Sequence, residues 1–171
     1  MLKSLVQELE ETFPNHIHIY TDGSQTPNGS GYAITGNRPN NSTKLHPKTP
    51  IFHCELNAIK HAIELTSIDQ NKNFTIFCDS INAISSIQNP WTNDPVIQEC
   101  QELYIKSTNR NNIVTVTWVP AHIGNMGNEK ADKLAEEVAN LSNSNYYNNS
   151  LPEKSTFHLL KKKISDNWNK N

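Results

Sequence analysis

The sequence predicts an α/β domain built on a mixed sheet, and three observations carry that expectation. Two β-patterned segments follow one another near the start, separated only by the turn Pro27-Asn28-Gly29. Further along, strand-like runs alternate with helical periodicity, and strands first, then strands interleaved with helices, imply a sheet of mixed direction. The run "NFTIFC" (Asn73 to Cys78) is almost continuously apolar, as a central strand buried on both faces should be.

Taken in order, Leu2, Leu5, Val6 and Leu9 recur at helical spacing and predict a short amphipathic helix in an N-terminal extension over residues 1–14. His16 to Thr21 alternates Ile17 and Ile19 with polar neighbours, the period of a strand that ends at Asp22. "GSGYAITG" (Gly29 to Gly36) is the second strand, and a short third one falls near Thr43 to His46. From Phe52 to about Ile68, Phe52, Leu56, Ile59 and Ile63 mark one face of a helix. The central strand then ends in Asp79-Ser80, where Ser80 caps a helix from Ile81 to Ile87, ahead of Pro90. Another helix runs from Val96 to about Lys106, and "NIVTVTWV" (Asn112 to Val119) is the fifth strand. A long helix opens near Asn128. These elements place one domain over residues 15–140. Residues 141–171 read as an Asn/Ser-rich linker and a C-terminal amphipathic helix carrying Phe157, Leu160, Ile164 and Trp168.

Composition narrows the class. Cys54, Cys78 and Cys100 cannot all pair and show no C-x-x-C spacing, which points to a reducing compartment without structural zinc. "MLKSLVQELEETF" is broken by acids where a secretory signal needs apolar residues, and no apolar run approaches the ~20 residues that cross a bilayer. The expectation is an intracellular chain, nuclear or cytoplasmic, with no membrane partner. A formal net charge of -2 gives no sign of a general nucleic-acid binder.

Four acids stand apart. Asp22 and Asp79 close strands, Glu55 lies in the first turns of a helix, and Asp132 lies near the start of the helix that opens about Asn128. Singly, each has an ordinary role: Asp-Gly closes hairpins, acids suit helix entries, and helix acids are commonly solvated. Strand ends and helix starts can nevertheless converge at one rim of a sheet, and carboxylates crowded there repel unless a cation joins them. Hard oxygen donors favour Mg²⁺ or Mn²⁺, and two such ions ~4 Å apart can clamp the attacking and leaving oxygens of a phosphodiester.

The local sequences "YTDGS", "ELNAI", "CDS" and "WVPAHIGNMGNEKADKLA", in this order, resemble the type 1 ribonuclease H domain, most closely that of non-LTR (LINE-like) retrotransposons. The resemblance runs from Ile17 to Ala139. It implies a ribonuclease H-like mixed five-stranded sheet flanked by helices, two Mg²⁺ ions (Mn²⁺ can substitute), and hydrolysis of the RNA strand of RNA–DNA hybrids. It puts the catalytic, metal-holding carboxylates at Asp22, Glu55, Asp79 and Asp132, with Asp22 shared by both ions, Asp132 on the water side, and Glu55 and Asp79 on the leaving-oxygen side. His122 matches the mobile histidine that helps product leave; a loop histidine bonded to a carbonyl is the plainer role for it. Gly23 and Ser24 would bring backbone close to the RNA strand, where 2'-hydroxyls are read. The tail "LPEKSTFHLLKKKISDNWNK" more loosely resembles the segment after such domains, which suggests a tethered reverse transcriptase as partner.

The chain also departs from that pattern. The place of the Lys/Arg-rich protrusion reads "NPWTNDPVI", without a basic residue, and "TPIFHC" stands where cellular relatives carry a phosphate-binding Thr-Asn pair. Trp91 is either a surface for the DNA strand or a partly buried core residue. Cys54 and Cys78 read as small buried apolar residues. Two Mg²⁺ ions would turn the formal -2 into +2, which partly answers the charge objection. Lys161, Lys162 and Lys163 can add phosphate contacts or simply form a solvated face. Two rivals remain at this stage: another nuclease of the same fold, and a non-catalytic domain that only structures a polymerase.

Overall fold

The computed structural model describes residues 2–122 and 125–142. The expected linker and C-terminal helix therefore lie outside the described residues. Helix α1 (Leu2–Thr12) precedes three strands, β1 (Ile17–Thr26), β2 (Gly29–Gly36) and β3 (Asn41–Leu45). Helix α2 (Ile51–Thr66), strand β4 (Asn73–Cys78), helices α3 (Ile81–Ile87) and α4 (Pro95–Thr108), strand β5 (Ile113–Trp118) and helix α5 (Met126–Asn140) follow.

The sheet is mixed and five-stranded, in the order β3-β2-β1-β4-β5. β1 pairs antiparallel with β2, and β2 antiparallel with β3. β4 is parallel to both β1 and β5, with α2 and the α3–α4 pair making the crossovers. One face is covered by α2 and α4 over a core centred on Ile19, Ile34, Leu56, Ile59, Phe74 and Ile76. The other face holds a smaller cluster of Tyr20, Phe77, Val119 and Ala131, joined by Leu9 from α1. Every strand of the parallel pair β1–β4 is thus buried on both sides, which is why "NFTIFC" carries no polar alternation.

Two boundaries differ from expectation for identifiable reasons. β1 does not end at Asp22. It runs four residues further, because Asp22 to Thr26 stay paired with Ala33 to Gly29 of β2 in a hairpin closed by Pro27 and Asn28. The β1–β4 ladder does end there, at the pair Thr21↔Cys78. Asp22 therefore stands where β1 loses one of its two neighbours, and not where the strand stops. Helix α4 begins at Pro95, earlier than the apolar spacing suggests: Asp94 caps it by accepting from Val96 N at 2.9 Å and Ile97 N at 3.3 Å, with Pro95 at the first helical position.

Candidate active site

The crevice forms where the β1–β4 ladder gives out. Asp22 and Asp79 are the residues immediately after the last paired positions, Thr21 and Cys78, so neighbouring strands deliver them side by side. Strands lie about 4.8 Å apart, close enough that the two carboxylates must interact. Beyond Cys78 the chain turns into α3, with Ser80 Oγ accepting from Ala83 N at 3.4 Å as its cap. Trp118 Nε1 donates to the Asp79 carbonyl at 3.0 Å and fixes that turn from β5.

Glu55 arrives from the opposite layer. It is on the second turn of α2, whose backbone crosses β1 at Gly23 so closely that a Cβ there would lie 2.5 Å from Glu55 N and 2.7 Å from the Cys54 carbonyl carbon. Gly23 is therefore demanded by the helix packing against it. Ser24, one residue on, is half-buried. Asp132 comes from α5, two turns into that helix, with its side chain 42% exposed, and His122 Nδ1 lies 3.8 Å from its Oδ2. His122 is itself 78% exposed and adopts φ 54°, a left-handed conformation that holds it out on the β5–α5 connection. No bond to a carbonyl is recorded for its ring among the described residues. Trp91 is 87% exposed, in the loop between α3 and α4, which removes the core-packing alternative.

The electrostatics follow from this burial. Asp22 is 5% and Glu55 8% exposed. Burial, then the charges of Glu55, Asp79 and Asp132, push the Asp22 carboxyl up to about 9. Burial and Asp79 push Glu55 up to about 8 against the lowering influence of the Gly23 N–H. Asp79 is raised as well, chiefly by burial, although the Asn128 amide holds it down. Asn128 Nδ2 donates to Asp79 Oδ2 at 3.5 Å. Among the described residues, Asp22 Oδ2 and Glu55 Oε2 are buried with no hydrogen-bond partner. Orphaned carboxylate oxygens in a group that resists ionisation are what a site for a hard divalent cation presents before the cation neutralises it. The residues fit such an ion.

Cys78, read as a small buried apolar residue, is fully buried in the main core, with its Sγ within 4.8 Å of atoms offered by Glu55 and Asp79. Burial and Glu55 push that thiol up to about 12, and it stays protonated. Two residues here escaped sequence reading, Asn128 and Glu10. Asn128 belongs to the quoted "GNEKAD" and could have been singled out as an amide able to reach one of the acids, here Asp79. Glu10, taken up below, had no local signal.

A carboxylate crevice beside the parallel strands β1 and β4, on a sheet ordered β3-β2-β1-β4-β5, defines a ribonuclease H-like architecture. The chain belongs to the RNase H family, whose model matches residues 14–140. It is 34% identical over 145 residues to the Pol polyprotein of equine infectious anemia virus (strain Wyoming), covering 77% of this chain and 11% of that polyprotein. It is 30% identical over 137 residues to the ribonuclease H of Ehrlichia ruminantium (strain Gardel), covering 71% of this chain and 92% of that protein. The crystal structure of RNase H1 from the halophilic archaeon Halobacterium salinarum NRC-1 superposes with a TM-score of 0.54 over 72% of this chain and 96% of the other, at 21% identity, and so speaks to the fold. The chain spans about a tenth of the viral polyproteins it matches.

Proposed function

We propose that this chain is an endoribonuclease that hydrolyses the RNA strand of RNA–DNA hybrids. Asp22, Glu55, Asp79 and Asp132 would hold two divalent cations, Mg²⁺ or in its place Mn²⁺. The observation that carries this reading is the convergence of four carboxylates of which two bear buried, unpartnered oxygens. When bound, the cations would stabilise charge developing on the attacking and leaving oxygens of the phosphodiester. The protein's own part is to keep the carboxylates ionised in the right places. The Gly23 N–H and the Asn128 amide favour the charged forms of Glu55 and Asp79. Placing Asp22, Glu55 and Asp132 on a strand and helices, and Asp79 on the turn straight after β4 that Trp118 pins, keeps the geometry rigid, while the exposed His122 is free to follow the departing product. Ser24 and exposed Trp91 would lie against the hybrid, the indole offering a stacking surface.

The viral relatives are polyproteins, and the motif order is similar to that of non-LTR retrotransposons, so we read the chain as working beside a reverse transcriptase. No described helix is long and apolar enough to cross a membrane. The test is cleavage of labelled hybrid, duplex RNA and duplex DNA by the purified chain with Mg²⁺. Cutting of the hybrid's RNA strand alone, abolished by Asp79→Asn, is the expected result. Cutting of duplex DNA, or activity unchanged in that variant, would overturn the reading. Calorimetry adds a control: a purely structural domain shows no Mg²⁺ heat that Asp79→Asn removes.

A further inference from the structure

We propose that α1, which lies outside residues 14–140, is a positioning element for the carboxylate site, and that it acts through Glu10; the proposal rests on the catalytic reading above. Glu10 Oε1 accepts two hydrogen bonds, one from the Tyr20 hydroxyl and one from Asn125 Nδ2 at 2.8 Å. The donors come from β1 and from the residue that opens α5. One carboxylate oxygen therefore ties three separate elements together.

Asn125 is the N-cap of α5, its Oδ1 accepting from Asn128 N at 2.9 Å. The oxygen and nitrogen of one amide are rigidly related, so anchoring the nitrogen on Glu10 sets the oxygen at the cap. Asn128 in turn extends its own amide to Asp79 Oδ2 at 3.5 Å. Asp132 follows one turn later on the same helix. A continuous relay thus leads from Glu10 through Asn125 and Asn128 to one metal-site carboxylate, and through the first turn of α5 to a second.

Packing reinforces the relay at the same corner. Gly127 lies so tightly on the Tyr20 ring that a Cβ there would come within 2.4 Å of ring carbons. That ring stacks on Phe77 at a centroid distance of 4.9 Å and 17° between planes. Leu9 of α1 packs against the same cluster, and Thr35 Oγ1 donates to the Gly127 carbonyl at 2.8 Å. A carboxylate at the N-terminal end of α5 also complements the helix dipole. Removing Glu10 leaves Asn125 free to rotate off the cap, and Asp132 hangs from that corner on α5.

The test compares the full chain with Glu10→Ala, Glu10→Gln, Asn125→Ala and the Glu10→Ala/Asn125→Ala double variant, at a temperature where each is folded. Glu10→Ala should lower kcat for hybrid cleavage about fivefold and change KM less than about twofold, because geometry and not grip is altered. Glu10→Gln keeps the acceptor oxygen and should stay within about twofold of the unaltered chain. The double variant should lose no more than Asn125→Ala, as two members of one relay must. Independently of activity, amide exchange over residues 126–129 should accelerate in Glu10→Ala while β4 is unchanged. Equal losses in the Ala and Gln variants, additive losses in the double variant, or faster exchange throughout the sheet would each overturn the proposal. If the unaltered chain cuts no hybrid, the functional reading fails, and the role of Glu10 at α5 stands or falls on the exchange measurement alone.

Discussion

Asp22→Asn should abolish hybrid cleavage and yet make the metal-free protein more stable. The Asp22 carboxyl is raised from 3.8 to about 9 by burial and by three neighbouring carboxylates. Its folded value lies above its unfolded value, so its contribution to stability is full below about pH 4 and is lost as pH climbs through about 9. At pH 8 the group sits about four units above its unfolded value, a penalty of up to about 6 kcal/mol at 1.36 kcal/mol per unit. Glu55 competes for the same proton, and a buried asparagine amide must find partners or cost about 1–3 kcal/mol. The net gain expected is therefore about 2 kcal/mol, or ~4–8 °C in Tm for a chain of this size. Thermal unfolding with a chelator at pH 8 reads it directly, and the gap between variant and unaltered chain should close as the pH is lowered towards 5. Addition of Mg²⁺ should raise the Tm of the unaltered chain and leave the variant where it was. A variant that melts lower than the unaltered chain at pH 8 without metal, or that keeps the Mg²⁺ response, would refute the account of Asp22 as a strained carboxylate awaiting a cation.

Three further outcomes follow from the same geometry. Stripped of metal, the chain should lose Tm steadily between about pH 4 and 9, because Glu55, raised to about 8, adds to Asp22 in the same direction; saturating Mg²⁺ should flatten that profile. His122→Ala should reduce turnover partially, by roughly tenfold, with hybrid affinity changed less, since the ring is exposed and borders the site at Asp132, with Asp79 within reach of its charge; steady-state and single-turnover rates check it, and either total inactivity or no change would rule out a role in product departure. Asp79→Asn, titrated against a labelled hybrid at several salt concentrations, should bind weakly with a shallow slope, because the loop from Gln88 to Asp94 offers no lysine or arginine to displace counterions. Tethering to a polymerase would supply the missing grip as effective concentration.

Much of this site was legible because its signals are local. Asp79 follows an unmistakable buried strand, and Ser80 caps the helix from Ile81 to Ile87 as its position suggested. What stayed hidden depends on partners remote in sequence. The continuation of β1 through "DGSQT" has lost β4 as a neighbour and carries polar residues, so no hydrophobic period announces it. Gly23 could be read as an open backbone position but not as the crossing point of α2, which is a matter of helix placement. Cys78 alternates with the correct core face, yet lies at the last rung, where that face meets the carboxylates. Glu10 is one acid among several in α1, and only the assembled corner of Tyr20 and Asn125 distinguishes it.

The hairpin that carries Asp22 has a consequence for any shortened version of the chain. Past Thr21 β1 has lost β4, and what remains is a three-stranded antiparallel arm of β1, β2 and β3, which needs a packed face to be stable. α5 acts as its splint: Gly31 accommodates Val138 and Ala139, and Asn140 Oδ1 accepts from Thr26 Oγ1 at 2.9 Å and Asn28 Nδ2 at 3.1 Å. The buried ammonium of Lys44, on β3, donates to the carbonyls of Ala139 and Leu141. A cut after residue 140 would leave that ammonium with half its acceptors, and a cut a turn earlier would release the splint altogether. A shortened chain that keeps both acceptors of Lys44 therefore runs through the carbonyl of Leu141, one residue beyond where the family match stops.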